Sequence, residues 1–162
     1  MNVTIRPVGP QDAAAVVAMA EELSANEGKP PRSLSEEDFR RDGFGPNAAF
    51  SCLIVEVGGE TAGYALFHAS YDAEAGKRGA FVHDLYLRPA FRGQGLGQAL
   101  LGRVCEVTRA AGGGFVWWCM VDSNLHADGF YRHLADSLDD LKIWIADGDN
   151  FAKLAGPPSK AS

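Results

Sequence analysis

A cluster of glycines near the middle of the chain carries the most specific chemistry in the sequence. The run Arg92-Gly93-Gln94-Gly95-Leu96-Gly97 lies between a predicted strand that ends at Leu87 and a predicted helix that begins near Leu96. Glycines allow backbone N–H groups to turn toward one point, and the free amides and dipole of a helix N-terminus attract anions. The loop is therefore predicted to bind a phosphate or pyrophosphate group.

The spacing of these glycines restricts the kind of ligand. A Walker loop would continue with Gly-Lys-Ser/Thr, and a Rossmann loop would need Gly-x-Gly-x-x-Gly followed by an acidic residue at the end of the next strand. Neither pattern is present. Coenzyme A is the pyrophosphate carrier that remains, and a glycine-rich turn without any ligand is the alternative that stays open.

The elements that would position this loop follow from the hydrophobic periodicity. Alternating and 3.6-residue patterns predict the order β-α-α-β-β-β-α-β-α-β, in which a meander of strands precedes β-α-β units. This order is typical of an α/β (α+β) fold with a mixed sheet and helices on it. The predicted strands are 2–7, 50–57, 61–70, 80–87, 115–121 and 141–146, and the predicted helices are 11–23, 33–39, 96–111 and 124–134.

Length and composition indicate one domain and limit its partners. The chain has 162 residues, of which 46% are apolar and 22% charged, and we assign the domain to residues 1–154 and a flexible tail to 155–162. The net charge is −6, which is not the basic character expected of a nucleic-acid-binding domain. An acidic surface favours a cationic small molecule over nucleic acid or an anionic membrane.

Cysteine usage and hydropathy predict where the protein works. Cys52, Cys105 and Cys119 are odd in number, far apart and set among apolar neighbours, which predicts reduced, buried thiols. No basic and then apolar leader opens the chain, and no apolar run approaches the roughly 18–20 residues of a membrane span. We therefore expect a cytoplasmic protein.

The stretch from Val82 to Gly97 resembles the acetyl-CoA signature of the GCN5-related N-acetyltransferases, whose core is Arg/Gln-x-x-Gly-x-Gly/Ala. The resemblance implies a mixed, mostly antiparallel central sheet with helices on both faces. Further stretches are similar to the diamine branch of that family, the spermidine/spermine and thialysine N-acetyltransferases. In matching order over residues 3–154, they are Asp42-Gly43-Phe44-Gly45, Phe50 to Val55, Gly63-Tyr64-Ala65, Ser70-Tyr71-Asp72, Asn124 and Phe130-Tyr131.

The resemblance also implies which residues would hold acetyl-CoA, the expected co-substrate. The strand before the glycine loop would offer backbone groups to the pantetheine and acetyl group, and the loop would cradle the pyrophosphate. Asn124 is in addition a candidate N-cap of its helix, and the two roles are compatible. The residues implied for the coenzyme are Leu85, Tyr86, Leu87, Arg92, Gly93, Gln94, Gly95, Leu96, Gly97, Gln98, Asn124 and Ala127.

Acetyl transfer to an alkylamine needs a proton acceptor, because the amine has a pKa of about 10.4, and an acid for the departing thiolate. The resemblance assigns the acid to Tyr131, with a core aromatic pair as the alternative. His83 stands where the family usually has glutamate. A neutral imidazole there can accept the amine proton through water, whereas an imidazolium would repel the amine, and a histidine without a catalytic role is the other interpretation.

The acceptor site implied by the resemblance consists of Glu27 and Asp84, which match acidic residues of the diamine branch, together with Asn26 and His83. Asn26 replaces an aromatic residue, His83 replaces a glutamate, and the segment 135–140 is shorter than in the family. These differences leave the reaction type intact but weaken the case for a polyamine.

We therefore expect an enzyme that moves the acetyl group of acetyl-CoA directly to a primary amine of a small cationic molecule, such as a diamine, a polyamine or a thialysine-like compound. An amino acid, a peptide or an aminoglycoside is the alternative acceptor. A non-catalytic acyl-CoA-binding module is the alternative class. The resemblance further implies a homodimer that needs no metal.

Overall fold

The computed structural model describes residues 2–156, in which five strands and five helices are formed. The predicted order of elements is found up to the fourth helix. Short 3₁₀ turns lie at Pro10–Asp12 and Pro89–Phe91. The elements are β1 (Val3–Pro7), α1 (Ala13–Asn26), α2 (Glu36–Gly43), β2 (Ser51–Val57), β3 (Glu60–Asp72), β4 (Lys77–Leu87), α3 (Leu96–Ala110), β5 (Phe115–Trp118), α4 (Leu125–Tyr131) and α5 (Gly148–Ala155).

The strands form one sheet in the order β1-β2-β3-β4-β5. The first four strands are antiparallel neighbours, and β5 lies parallel to β4. The β2–β3 hairpin turns at Gly58 and Gly59, which have φ values of 60° and 88°. Positive φ at both central positions suits the twist of a two-residue hairpin and favours glycine. The mixed, mostly antiparallel sheet is confirmed.

Helices cover both faces of the sheet, as expected. Because side chains alternate along a strand, β2 sends Val55 to one face and Ile54 to the other, and both are fully buried. On the first face α3 packs Leu96, Leu100, Leu101 and Val104 against Leu53, Val55, Phe67, Ala80 and Val82. On the second face α1 and α2 pack Val16, Met19, Ala20 and Phe39 against Ile54, Tyr64, Leu66 and Tyr86.

The start of α2 shows how the sequence selects a helix boundary. Ser35 caps this helix: its hydroxyl accepts the Asp38 backbone N–H at 3.1 Å, and the Asp38 carboxylate accepts the Ser35 backbone N–H at 3.2 Å. This reciprocal capping box satisfies two amide groups that have no partner within the helix. The segment 27–35 is consequently an irregular connection between α1 and α2.

The C-terminal part of the chain differs from the prediction. Residues 141–146 alternate in hydropathy but pair with no strand within residues 2–156, and Trp144 is 89% exposed. A period of two is necessary for a half-buried strand, but it does not supply a partner strand. The unpredicted helix α5 follows, and β5 ends at Trp118 instead of Val121. The predicted tail begins at Ala155, the last residue of α5, and its residues 157–162 lie outside the described part of the chain.

Two of the three cysteines are also placed differently from the prediction. Cys52 is buried in β2, but Cys105 and Cys119 are exposed. Cys105 lies on the side of α3 that faces away from the sheet, and Cys119 follows the end of β5, so neither position is covered by another element. Within residues 2–156, no helix is both long and apolar enough to cross a membrane.

Candidate active site

Strand β5, at one edge of the sheet, pairs with only the first part of β4. Their pairing covers only Gly79–Val82 opposite Phe115–Trp118, whereas β4 continues to Leu87. The β3–β4 register shifts at the same place, because Leu66 lies opposite Asp84 and Phe67 opposite Val82, which leaves His83 as the extra residue of a bulge. Bulges redirect side chains and end regular pairing, and this one opens the edge of β4 from His83 to Leu87.

The glycine loop connects this open edge to α3. Gly93 and Gly95 have φ values of 73° and 76°, in the left-handed region that favours glycine. The first hydrogen bond of the helix runs from the Ala99 N–H to the Gly95 carbonyl at 3.0 Å. The backbone N–H groups of residues 96–98 therefore have no acceptor within the helix. The loop therefore presents amide donors at the N-terminus of a 15-residue helix.

The two long side chains of the loop are held by backbone carbonyls. Arg92 Nε–H donates to the Leu87 carbonyl at 2.9 Å, and its guanidinium lies 5.7 Å from the centre of the Tyr86 ring. Gln94 Nε2–H donates to the Ala90 carbonyl at 3.2 Å. These bonds tie the loop to the end of β4 and leave its glycines at the surface.

Helix α4 lies against the glycine loop. A Cβ atom at Gly97 would be 3.3 Å from the Phe130 ring, so these two positions are in direct contact. Asn124 caps α4, because its Oδ1 accepts the Ala127 N–H at 3.1 Å. This confirms the capping interpretation of Asn124 and ties Ala127, the other helix residue predicted to touch the coenzyme, to the same turn.

Tyr131 follows Phe130 and lies beside β5, with its ring 5.1 Å from that of Trp118. Burial raises the pKa of Tyr131 to about 12, and the negative charge of Glu27 contributes in the same direction. The phenol therefore keeps its proton throughout the neutral range. The influence of Glu27 also shows that the end of α1 and the end of α4 are electrostatic neighbours.

A cleft of about 320 Å³ lies between the C-terminal end of α1 and the N-terminal end of α4. Asn26 and Glu27 form one side, and Val121 and the residues from Ser123 to His126 form the other. The Glu27 carboxylate is 2.6 Å from Lys29 Nζ. Asn26 Nδ2–H donates to the Tyr86 hydroxyl at 3.3 Å, so the Tyr86 side chain belongs to the α1 face of the sheet.

Asp84 is buried in an ion pair, so its carboxylate is not free to bind an acceptor. Its side chain is 6% exposed, and Arg32 binds both oxygens through Nη1 at 2.7 Å and Nη2 at 2.9 Å. The Tyr64 hydroxyl donates to the same carboxylate at 2.8 Å. Burial alone would lower the pKa of Arg32, but the hydrogen bonds and charge of Asp84 raise it above its usual value, so the guanidinium stays charged.

His83 is exposed and belongs to an aromatic cluster. Its imidazole stacks on that of His68 at 4.8 Å and meets the edge of Phe81 at 4.7 Å. Partial burial lowers the pKa of His83 below 6.5, and His68 and Arg32 lower it further against the opposing effect of Asp84. His83 is therefore neutral at pH 7, the form that can accept a proton.

Three residues around the site, Arg32, Tyr64 and His68, were not predicted from the sequence. Arg32 is 52 positions from Asp84, and Tyr64 is 20 positions from it. No local spacing identifies such a contact. The only available signal was chemical, since a carboxylate on a buried strand needs a cation or donors.

The comparisons with known proteins agree with this geometry. The family model described as "Acetyltransferase (GNAT) family" matches residues 16–135, and the chain belongs to that family. Thialysine N-epsilon-acetyltransferase of Mus musculus is 31% identical over 165 residues, covering 94% of this chain and 96% of that protein. Spermidine/spermine N(1)-acetyltransferase-like protein 1 of Homo sapiens is 32% identical over 111 residues, covering 64% of this chain and 16% of that protein.

Among solved structures, the integron cassette protein VCH_CASS6 of V. cholerae has a TM-score of 0.79 at 19% identity and covers 97% of this chain and 99% of that one. This likeness confirms the fold. The family and the curated relatives identify the protein as an acetyl-CoA-dependent N-acetyltransferase that acts on amines. The expected resemblance to the diamine branch is confirmed as well.

Proposed function

We propose that this enzyme transfers the acetyl group of acetyl-CoA directly to a primary amine of a small cationic molecule of the diamine, polyamine or thialysine-like class. The observation that carries the proposal is the contact between Gly97 of the glycine loop and Phe130, the neighbour of Tyr131. This contact brings the candidate anion site and the candidate acid together at the open edge of β4. The acidic end of α1 lies across the cleft.

The residues present fit coenzyme A on the first side of the site. The amides that follow Gly93 and Gly95 converge at a helix N-terminus, where hydrogen bonds and the helix dipole both stabilise a pyrophosphate. The unpaired edge of β4 at Leu85, Tyr86 and Leu87 offers backbone groups to an extended ligand. Arg92, Gln94, Leu96, Gly97 and Gln98 complete the loop, and Asn124 and Ala127 border it from α4.

Acetyl-CoA supplies the thioester, and Tyr131 supplies the proton that the leaving sulfur needs. Because its pKa is raised to about 12, Tyr131 carries a proton at every pH at which the enzyme would work. A thiol has a pKa of about 8.5, below that of Tyr131, so the proton passes to the sulfur in an uphill step as the carbon–sulfur bond breaks, and the phenolate that remains regains a proton from solvent. Tyr131 therefore acts as the general acid.

On the acceptor side, Glu27 attracts the ammonium group and Asn26 borders the same cleft. His83 is neutral at pH 7 and accepts the amine proton through water, so that the free amine can attack the acetyl carbonyl. Asp84 lies behind Arg32 and contributes to the site through the ion pair with it. We propose further that the enzyme is a cytoplasmic homodimer that uses no metal and binds no nucleic acid.

The test is thiol release from acetyl-CoA by the purified protein, with and without spermidine, putrescine, thialysine, lysine and an aminoglycoside. Mass spectrometry of the acceptor should show the added acetyl group. Release that depends on a small amine supports the proposal. Binding of acetyl-CoA without transfer to any of these acceptors contradicts it.

A further inference from the structure

The segment from Lys29 to Arg32 brings two cations to the two carboxylates of the proposed acceptor site. Lys29 Nζ lies 2.6 Å from Glu27, and Arg32 binds Asp84 through both of its terminal nitrogens. Two prolines separate the two basic residues. Each carboxylate that would attract a cationic substrate is therefore matched by a cation of the chain itself.

Arg32 is held firmly in this position. Its Nε–H donates to the hydroxyl of Ser24 at 2.9 Å, and its backbone N–H donates to Glu21 at 3.2 Å. A guanidinium that binds a carboxylate through two parallel hydrogen bonds keeps both the distance and the orientation of the pair. The Arg32 side chain is 26% exposed, so it separates the buried Asp84 from solvent.

The same guanidinium is an electrostatic neighbour of His83 and of Glu27. Glu27 affects the pKa of Arg32 and that of Tyr131, and Arg32 affects the pKa of His83. Arg32 is also hydrogen-bonded to Glu21 and Ser24 in the last turns of α1, whose end lines the cleft, so its charge lies beside a substrate bound there. A second ammonium group entering this site would meet the Arg32 cation instead of a free Asp84 carboxylate.

We propose that Arg32 is a specificity-determining residue: by neutralising Asp84, it directs the acceptor site toward amines whose molecule also carries a carboxylate, and against the corresponding diamines. The preferred acceptor is then a basic amino acid with a net charge of +1. This inference rests on the proposed acetylation of small amines and narrows it to one substrate class.

Two pairs of acceptors isolate the effect, because lysine differs from cadaverine, and ornithine from putrescine, only by the α-carboxylate. The values of kcat/KM for all four are measured by thiol release. For the wild-type enzyme we expect lysine to exceed cadaverine by about tenfold, the scale of one added charge interaction near a protein surface. The ornithine and putrescine values should follow the same order.

Variants that change the charge at Arg32 and Asp84 one unit at a time separate this effect from a folding defect. Arg32→Gln should lower the lysine-to-cadaverine ratio about tenfold, and Asp84→Asn should raise it. The double variant removes both charges and should return the ratio to within about threefold of the wild-type value. Arg32→Lys keeps the charge and should keep the preference. Arg41→Gln is the matched control, since Arg41 pairs with Asp38 and Asp42 on the exposed surface of α2.

The outcomes distinguish this inference from the proposed function. A ratio near one in the wild-type enzyme, or a ratio that Arg32→Gln leaves unchanged, overturns the role of Arg32 while amine acetylation stands. A lack of turnover with all four acceptors and with the polyamines overturns both. Thermal unfolding of each variant identifies a folding defect, and in that case the ratio from Arg32→Lys decides, because it retains the ion pair.

Discussion

The glycine loop and the acceptor cleft are constructed in opposite ways. The loop uses consecutive residues and mostly backbone groups, and its requirement is a left-handed φ at Gly93 and Gly95. The acceptor cleft is lined by side chains from the end of α1 and the start of α4, and its acidic residue Glu27 pairs with Lys29, while Arg32 pairs with Asp84 on β4, 52 positions away. A site made of backbone groups tolerates few changes in the conformation of the chain. The charge of a site made of ion pairs, in contrast, changes when a single side chain is replaced. We therefore expect coenzyme binding and acceptor choice to respond to different substitutions.

The largest expected effect is on the rate of acetyl transfer, the step in which the bound coenzyme and the acceptor react. Tyr131→Phe removes the proton donor and should lower kcat about thousandfold, within the usual range for a general acid. The dissociation constant of acetyl-CoA, measured by calorimetry, should change less than threefold. Tyr71→Phe, on an exposed tyrosine of β3, is the control. A similar kcat in both variants would show that Tyr131 is only part of the aromatic packing.

A substitution in the loop should affect coenzyme binding alone. Gly95→Val forces a β-branched residue into a φ of 76°, which costs about 1–2 kcal/mol and turns the amides away from the ligand. We expect the dissociation constant of acetyl-CoA to rise about a hundredfold, since each lost hydrogen bond to a charged group is worth about 1.5–3 kcal/mol. Gly102→Val is the matched control, because Gly102 lies within α3.

If the Gly95 and Gly102 variants bind acetyl-CoA equally well, the loop is a turn without a ligand. The glycine loop would then not be the coenzyme site, and the contrast between a backbone site and a side-chain site would not hold. Circular dichroism and thermal unfolding show whether both variants keep the fold, so that a loss of binding can be attributed to the loop.

For the acceptor side, we expect kcat/KM to depend on the protonation of His83 by about tenfold. His83 has a pKa below 6.5, so its neutral form is present above that pKa and is lost as the pH falls through it. The activity should therefore decrease on the acidic side with a midpoint below pH 6.5. His83→Gln should lower kcat/KM about tenfold at pH 7 and remove this acidic limb. His133→Gln, on an exposed position, should leave the limb in place.

His68→Ala provides a second readout of the same group. Since His68 is one of the causes that lower the pKa of His83, its removal should move the His83 titration toward higher pH, as followed by NMR of the imidazole protons. No movement of the titration would contradict the electrostatic coupling between the two stacked rings.

The smallest expected effect concerns the boundary between the regions. Asn124→Ala removes the cap of α4 and should reduce the free energy of unfolding by about 1 kcal/mol, measured by denaturant titration. Asn124→Ser keeps a capping oxygen and should retain most of that stability. If Asn124 also contacts the coenzyme, both variants bind acetyl-CoA more weakly. Unchanged binding in both would limit Asn124 to the capping role.

The parts of the molecule that were predictable from the sequence are those whose contacts are local. Gly58 and Gly59 between two β-rich runs predict the hairpin, and the 3.6-residue period predicts α1 and α3. The glycine loop was identified in the same way, because the turn and the first residues of the helix that follows it are consecutive in the chain. The expected fold, family and type of activity are confirmed, and the roles of the individual site residues stay predictions.

The predictions for the C-terminal strand and for two cysteines were wrong because these features depend on contacts between distant parts of the chain. Leu141, Ile143 and Ile145 have the alternation of a strand, but a strand also needs a partner, and this segment pairs with none of the described strands. Cys105 and Cys119 were expected to be buried because their neighbours are apolar. Burial depends on which elements cover a position, and the apolar neighbours point to the core while these two side chains do not.

The sequence by itself determined the class of enzyme, because a glycine loop at a helix N-terminus and the resemblance around it depend on residues that are adjacent in the chain. Only the tertiary structure decided the charge of the acceptor site. Glu27 and Asp84 are recognisable as acids from the sequence, but their partners Lys29 and Arg32 act through distances of 2.6 and 2.7 Å that exist only after folding. Coulombic interactions depend on separation in space and on burial, and neither quantity can be obtained from residue spacing between Arg32 and a strand 52 positions away.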